Sequence, residues 1–526
     1  MSKIIIGTRG SDLALWQANY TKELLEKEGH EVSIKIIQTQ GDASQKWNTS
    51  FEKLEGKGFF TKELEDALLA GDIDVAVHSH KDLPTENPPG LIVAGVSQRE
   101  DPSELLIIRK EKRDEKKKFS LALYANVGTS SGRRKAQLSS FRPDLKLSDL
   151  RGNVPTRINK LREGQYDAIL IAFAGVERLG IDLSEFHVEK LNPQEFVPAP
   201  AQGALAWQIR ESNSLLQSIF EEISDLSTET AIRLERKVLN LFDGGCQLPL
   251  GVFCEPESNE DGEILFKIVV SKAKSSNEQP IHLSFETKYL EDYAEKIVDK
   301  INSIQPRSVF VTKDFRKHDY LPNALSRLGF SCKGKSLIEF KPIPFSETPD
   351  CKWIFFSSKH AVKFFFEQNP QIREGVRFGC ISKSTAMELR QFGFRAEFIG
   401  QSTDTKLVGK QFSSRAGNEK VLFPIAEESM QSVQNQIVKK ENVINLPVYK
   451  THLHKEKLTE KYDVVVFTSP SNVEAFFSSN QWIKGTHAVA MGDATAKSLE
   501  RKGIKNAVKP IRFDDLGLFM ATLSIS

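Results

Sequence analysis

Cysteine, methionine and tryptophan are scarce in this chain, with 5 of each in 526 residues. The cysteines, Cys246, Cys254, Cys332, Cys351 and Cys380, are odd in number and none sits in a C-x-x-C pair. That spacing argues against a disulfide framework and against a zinc site, and it implies a reducing compartment. Net charge is almost missing as well: Lys+Arg 72 against Asp+Glu 70 leaves +2. No global field draws the chain to nucleic acid or to a membrane, so any anion binding is local. Long apolar runs are also absent. The N-terminal run around Ile4, Ile5 and Ile6 is too short for a signal peptide, and no stretch approaches a membrane span. A soluble, cytoplasmic, monomeric protein without metal is expected, long enough for roughly three to five domains.

What is present is a series of strands that run into Gly/Ser/Thr loops and then helices. Lys3 to Thr8 reads as a buried strand, and Arg9-Gly10-Ser11 turns into a helix with Leu13, Trp16, Tyr20 and Leu24 on one face. The helix start is a ready anion site beside Arg9 and Ser11; the plain alternative is an ordinary Ser cap. Asp74 to Val77 reads as a strand leading directly into His78-Ser79-His80-Lys81-Asp82, which places a lysine and a carboxylate at a carboxyl-terminal strand edge, where open α/β sheets bind ligands. An Asp beside a Lys can be a surface pair, but an ionised Asp here can also hold a developing positive charge and shuttle protons. The mixed charge run from Arg109 to Lys118 reads as a solvated crossing between lobes, since no aromatic interleaves with its basic residues.

Beyond it, Leu121 to Val127 reads as a strand before Gly128 to Arg134. Leu150 to Arg157 repeats the theme, and Arg178 follows the apolar strand Ala168 to Phe173. One arginine is usually a solvated surface residue. Several on equivalent loops suit bidentate recognition of carboxylate or phosphate, so the ligand is expected to be polyanionic. The proline-containing stretch Leu191 to Ala206 reads as the return crossing, giving two lobes around a cleft. Thr228 to Phe242 reads as an amphipathic helix stopped by Gly244 and Gly245, and Cys246 follows on a loop where a thiolate can be reactive. The alternative is a small buried hydrophobe.

Together, Thr8 to Gln17, the Val77 to Asp82 turn, Gly128 to Arg134, Leu150 to Arg157 and Gly244 to Gln247 resemble, in family order, hydroxymethylbilane synthase (porphobilinogen deaminase). The resemblance implies a transferase that condenses four porphobilinogen units with release of ammonia on a covalent dipyrromethane primer. It implies that Cys246 carries the primer and that Asp82 is the acid/base and cation-stabilising carboxylate. Lys81, Ser131, Arg133 and Arg134 would hold the cofactor with them, and Arg9, Ser11, Gln17, Arg151, Arg157 and Arg178 the substrate's acetate and propionate groups. Asp12, Gly132 and Ala199-Pro200-Ala201-Gln202 depart from the family pattern and bear on hinge geometry.

The remainder repeats itself. Trp353 to Val362 is echoed by Val464 to Val473, and Gly379 to Ala386 by Val489 to Ala496. This half is similar to uroporphyrinogen-III synthase, which closes hydroxymethylbilane with one ring inverted. That similarity implies that Tyr449 assists departure of the substrate hydroxyl and that Ser469, Ser471 and Thr495 help bind carboxylates; Tyr449 could equally be a strand aromatic. The expected fold is α/β: two periplasmic-binding-protein-like lobes, residues 1–105 (completed by 200–220) and 106–199, plus a small α+β domain, 221–303, carrying the cysteine. A two-lobed synthase-like half follows, one lobe from 308–340 with 447–526 and the other from 341–446. The competing readings are a deaminase with a silent C-terminal scaffold and a two-lobed anion-binding protein.

Overall fold

Ile4 and Ile6 alternate inward along Lys3–Thr8, and the first sheet grows from that strand. A computed structural model describes residues 3–39, 61–243, 248–258, 262–402, 404–429 and 431–526. The chain divides into two compact units: Met1–Val309 with Arg316–Lys333 and Val508–Ser526, and Phe310–Phe315 with Gly334–Ala507.

In the first unit, one sheet has the order Glu31–Ile36, Lys3–Thr8, Val75–Ser79, Leu205–Arg210, Leu91–Val96. Its first three strands are parallel and Leu205–Arg210 runs antiparallel to both neighbours. Trp207 is buried at its centre, donating to Thr21 Oγ1 at 2.9 Å. That bond shifts the buried stripe of the helix Asp12–Lys27 away from the expected face. Gln17, Ala18, Thr21 and Leu25 point inward, while Trp16, Tyr20 and Leu24 pack at the margin.

A second sheet has the order Lys146–Ser148, Asn126–Gly128, Ala168–Ala172, Glu104–Ile108, His187–Leu191. Because Glu104–Ile108 already belongs to it, the chain crosses between sheets before residue 104. The charge run after Arg109 is therefore a solvated turn at the far end of that strand, not the crossing. The strand expected from Leu121 is shorter too, Asn126–Gly128. Arg142 takes the carbonyls of Leu121 and Ala122 at 2.8 and 3.0 Å, and Tyr124 has φ 58°, so no ladder forms there.

The return passes through Ala201, fully buried with φ 62°. A left-handed alanine costs about 1–3 kcal/mol and persists only where its surroundings hold it. Glu235 holds it here. Its carboxylate accepts from Ala201 N at 2.7 Å, from Arg99 at 2.8 and 3.1 Å, and from Cys254 N at 2.8 Å. One buried side chain thus joins both inter-sheet segments to the third sheet, the antiparallel Leu250–Ser258, Ile264–Lys272 and Ile281–Thr287. Glu235 lies on the helix Leu226–Leu241, N-capped by Asp225 and packed on Leu250–Ser258 and on the helix Tyr293–Ser303. The helix Asp515–Ile525, buried from Leu516 to Leu523, completes the unit by resting on Ile281–Thr287 and on the helix Tyr320–Arg327.

The second unit carries a six-stranded sheet ordered Ile338–Pro342, Val443–Leu453, Val421–Ala426, Trp353–Phe356, Arg377–Cys380, Phe398–Ile399. The internal repeat is structural. Trp353–Phe356 leads to the helix Lys359–Phe366 as Val464–Phe467 leads to Pro470–Phe477. Arg377–Cys380 and Lys383–Gln391 likewise match His487–Ala490 and Asp493–Arg501. Among the described residues no helix is long and apolar enough to cross a membrane.

Candidate active site

The strand Val75–Ser79 ends in a single helical turn, His80–Asp82, and that turn is pinned on several sides. His80 N donates to Ala204 O at 3.0 Å, and Leu83 N to His80 O at 3.3 Å. Arg236, on the helix Leu226–Leu241, donates to the carbonyls of His80, Leu83 and Pro84. His80 and His78 are buried behind the turn. Burial holds His78 down to about 4, so it stays neutral and bonded to Gln208 Oε1 at 3.2 Å. Burial lowers the pKa of His80 likewise, and neither histidine lines the cavity described next. Asp82 alone of these is exposed.

Asp82 faces a cavity of about 440 Å³ lined by Arg9, Ser11, Lys81, Arg134, Arg157, Arg178 and Gln202 among others. Ser11 also caps the helix Asp12–Lys27, its Oγ accepting from Ala14 N at 3.4 Å, so the cap and the anion-site readings both apply. Lys81 donates to Gln202 Oε1 at 3.2 Å; burial lowers its pKa and the neighbouring Asp82 opposes that. Arg157 donates to Gly152 O at 2.7 Å, and burial, then Arg134, brings it down to about 10. Arg178 donates to Gly203 O at 2.6 Å and lies 5.4 Å from the Trp16 ring centroid. Gly203 is needed there, with φ +97° and a Cβ that would collide with the Glu100 carbonyl.

Four expected residues do not line this cavity among the described residues. Gln17 donates to Ser79 Oγ at 2.8 Å beneath the turn. Ser131 caps the helix Gly132–Phe141. Arg151 lies on the loop before Asn153, its carbonyl accepting from Lys160. Arg133 turns inward, donating to Glu104 Oε1 at 2.6 Å and Val197 O at 2.8 Å. Glu104, fully buried, reaches Arg134 as well, at 2.6 Å. Cys246, on which the covalent attachment rests, lies outside the described residues, as do Gly244, Gly245 and Gln247.

The cavity suits a group bearing several carboxylates. Arg134 is buried with Nη1 on Leu170 O and Nη2 on Glu104, while its Nε has no partner among the described residues. A buried guanidinium N–H without an acceptor is costly unless a ligand supplies one. Glu104, Gln202 and Arg236 were not anticipated. Glu104 is the one charged residue of the otherwise apolar strand Glu104–Ile108, and that placement is the available signal.

In the second unit Tyr449, on Val443–Leu453, is buried with its hydroxyl 3.3 Å from Ser358 Oγ. Its ring stacks on Phe364 at 5.4 Å and meets Phe340 edge-on. Burial raises its pKa, opposed by the Ser358 hydrogen bond. Ser358 caps Lys359–Phe366, and Ser469 caps Pro470–Phe477 in the same way. Ser358 was missed, although the repeat already paired it with Ser469. Ser471 is half-buried in the first turn of its helix, and Thr495, buried, returns its hydroxyl to Met491 O at 3.3 Å.

Comparison with known proteins finds two families matched in succession along the chain. The family model "Porphobilinogen deaminase, dipyromethane cofactor binding domain" matches residues 4–218, and "Uroporphyrinogen-III synthase HemD" matches residues 293–519. A porphobilinogen deaminase of Nitratiruptor sp. is 42% identical over 268 residues, 51% of this chain and 83% of that protein. That of Carboxydothermus hydrogenoformans is 37% identical over 311 residues, 57% of this chain and 97% of that protein. The structure of uroporphyrinogen-III synthetase from Helicobacter pylori aligns with 42% of this chain and 100% of its own at 20% identity and a TM-score of 0.34.

Burial pushes the Glu104 carboxyl up, but Arg134 and Arg133 pull it further down, so it ends well below the usual carboxylate range. A depressed folded pKa means that its stabilisation is complete above the pKa of an unfolded glutamate and is lost as pH falls toward the folded value. Glu104→Gln is expected to cost about 3–5 kcal/mol in urea unfolding at neutral pH, because two buried guanidinium groups lose their carboxylate. The gap between variant and parent should narrow as pH is lowered below that of a free glutamate.

Proposed function

Because the chain belongs to the porphobilinogen deaminase family and carries a uroporphyrinogen-III synthase domain behind it, we propose that Asp82 and its surrounding cations assemble hydroxymethylbilane and that Tyr449 serves its closure to uroporphyrinogen III. The observation that carries the first reading is the convergence of Arg9, Lys81, Arg134, Arg157 and Arg178 on one cavity that the exposed Asp82 carboxylate also lines, at the carboxyl end of its strand. Porphobilinogen is an aminomethylpyrrole with two carboxylate arms. The arginines bind the arms and orient the ring. As the C–N bond breaks and ammonia leaves, positive charge spreads over the pyrrole. Asp82, held at the carboxyl end of its strand, stabilises that charge and accepts and returns the proton that moves in each condensation.

The dipyrromethane cofactor, when bound, supplies the carbon nucleophile that starts the chain and a covalent tether that keeps it in place. Cys246 is assigned as its thioether anchor on sequence resemblance; in sequence it follows the helix Leu226–Leu241, which sends Arg236 to the Asp82 turn. Arg9, Arg134, Arg157 and Arg178 hold carboxylates of cofactor and substrate, with Lys81 and Ser11 beside them. Ser131, Arg133, Gln17 and Arg151 act by supporting that wall.

In the second unit, the Tyr449 phenol is protonated at neutral pH like any tyrosine, and burial raises its pKa further. Its O–H can hydrogen-bond to a departing hydroxyl, and the helix starts capped by Ser358 and Ser469 suit carboxylates. Ser471 and Thr495 stand at equivalent helix starts.

Incubating the whole chain with porphobilinogen, oxidising the product and separating the uroporphyrin isomers tests the pair of activities. Mostly isomer III is expected; mostly isomer I would show hydroxymethylbilane closing unaided and remove the role of the second unit. Asp82→Asn should still bind substrate but lose about 10²–10⁴-fold in turnover, and near-normal rates would take Asp82 out of the mechanism. Cys246→Ala should appear by intact-mass spectrometry at its bare sequence mass while the parent carries the primer; a primed variant would refute the anchor.

A further inference from the structure

The helix Gly132–Phe141 presents Arg134 to the porphobilinogen cavity from its first turn, and its last turn is gripped by residues from the other side of the family boundary. Tyr320 lies within the segment matched by the synthase model, yet it is part of the first unit. Its ring stacks on Phe141 at 5.0 Å and 22°. Its hydroxyl accepts from Ser140 Oγ at 3.2 Å, and Ser140 in turn accepts from Gln279 Nε2 at 2.7 Å. Arg327, on the same helix as Tyr320, donates to Ser139 O at 3.2 Å. Behind Tyr320 stands Phe519 of the last helix, edge-on at 5.6 Å. Burial keeps the Tyr320 phenol neutral, pushed up to about 12.

We infer that Tyr320 is a positioning residue of the deaminase site, setting the helix Gly132–Phe141 and, through it, Arg134. A helix is a stiff rod rising 1.5 Å per residue, so the gripped end lies only about 9 Å from Arg134 along the axis. At the cavity end the Arg134 head is fixed to Glu104 and Leu170 O, which set the guanidinium but not the axis of the helix. Gln137, mid-helix, is tied to Val197 N and O at 2.7 and 2.9 Å, and the last turn is fixed by stacking on Tyr320 and by the Gln279–Ser140–Tyr320 chain of hydroxyl and amide. A displacement of about 1 Å at a positioning group can cost as much as 10²-fold in rate or binding. Part of the support for a substrate-binding arginine therefore comes from Tyr320, in the part of the chain that the synthase family contributes.

This proposal rests on the reading of the cavity as the porphobilinogen site, and the test separates the two. Steady-state deaminase kinetics would be measured on the full chain with Tyr320→Leu, which keeps apolar volume but removes the stack and the hydroxyl. Tyr320→Phe, which keeps the stack, is the conservative companion. Arg134 holds carboxylates alike in ground and transition states, so the leucine variant should raise the KM for porphobilinogen about 3- to 10-fold with kcat within about 2-fold. The phenylalanine variant should restore most of that loss. Should Tyr320→Leu not fold, Ser140→Ala cuts the hydroxyl chain with the ring in place and should raise KM about 2-fold. A parent chain without turnover on porphobilinogen removes the cavity reading and this proposal together. An active parent whose variants melt earlier but keep its KM overturns this proposal alone.

Discussion

Gathering Arg9, Lys81, Arg134, Arg157 and Arg178 around one cavity sets a Coulomb problem before any chemistry begins. Two like charges about 4 Å apart repel by roughly 4 kcal/mol at an effective dielectric of 20. The structure meets this with fixed acceptors. Glu104 takes one guanidinium on each oxygen, Gly152 and Gly203 lend carbonyls to Arg157 and Arg178, and the Trp16 ring faces Arg178. Glu104 lies at a strand start, Gly152 and Gly203 on loops and Trp16 on the first helix, so several elements of the first unit converge on holding the cations. Asp82 is left exposed amid them, at the end of its strand.

A second buried carboxylate governs the segments joining the first two sheets. Glu235 binds Arg99 on the outgoing segment and Ala201 on the return, and its other bond reaches Cys254 in the third sheet. Both segments that join the first two sheets are thus tied to this one side chain. The left-handed backbone at Ala201, in a stretch that departs from the family's glycine-containing pattern, is stabilised by the same contact. The departure changes the residue and leaves the turn in place.

Much of this was legible in the sequence. The strand into His78-Ser79-His80-Lys81-Asp82, the Ser cap at Ser11 and the duplicated strand–loop–helix of the second half stand as local pattern implied, because each depends on periodicity and capping within a short span. The first helix was misread by one stripe, since the deciding partner is Trp207, remote in sequence and bonded to Thr21. The charge run after Arg109 was taken for a crossing because solvation looks alike at a hinge and at a turn; only the pairing of Glu104–Ile108 with the second sheet separates them. Arg133 resembled its neighbour Arg134 in every local respect. Glu104 binds both; Arg133 gives its other bond to Val197 O and Arg134 to Leu170 O, and of the two only Arg134 lines the cavity.

The burial of the helix Asp515–Ile525 within the first unit has a bearing on how the protein is made. These residues leave the ribosome after the whole of 334–507, yet they rest on Ile281–Thr287 and on Tyr320–Arg327. Throughout synthesis of the second unit, that face of the nascent first unit has no partner, and its apolar surface is open to chaperones or to misdocking. The final contacts of the first unit are also among the most distant along the chain, a topology that slows folding. The first unit therefore receives its last helix only after the second has been synthesised.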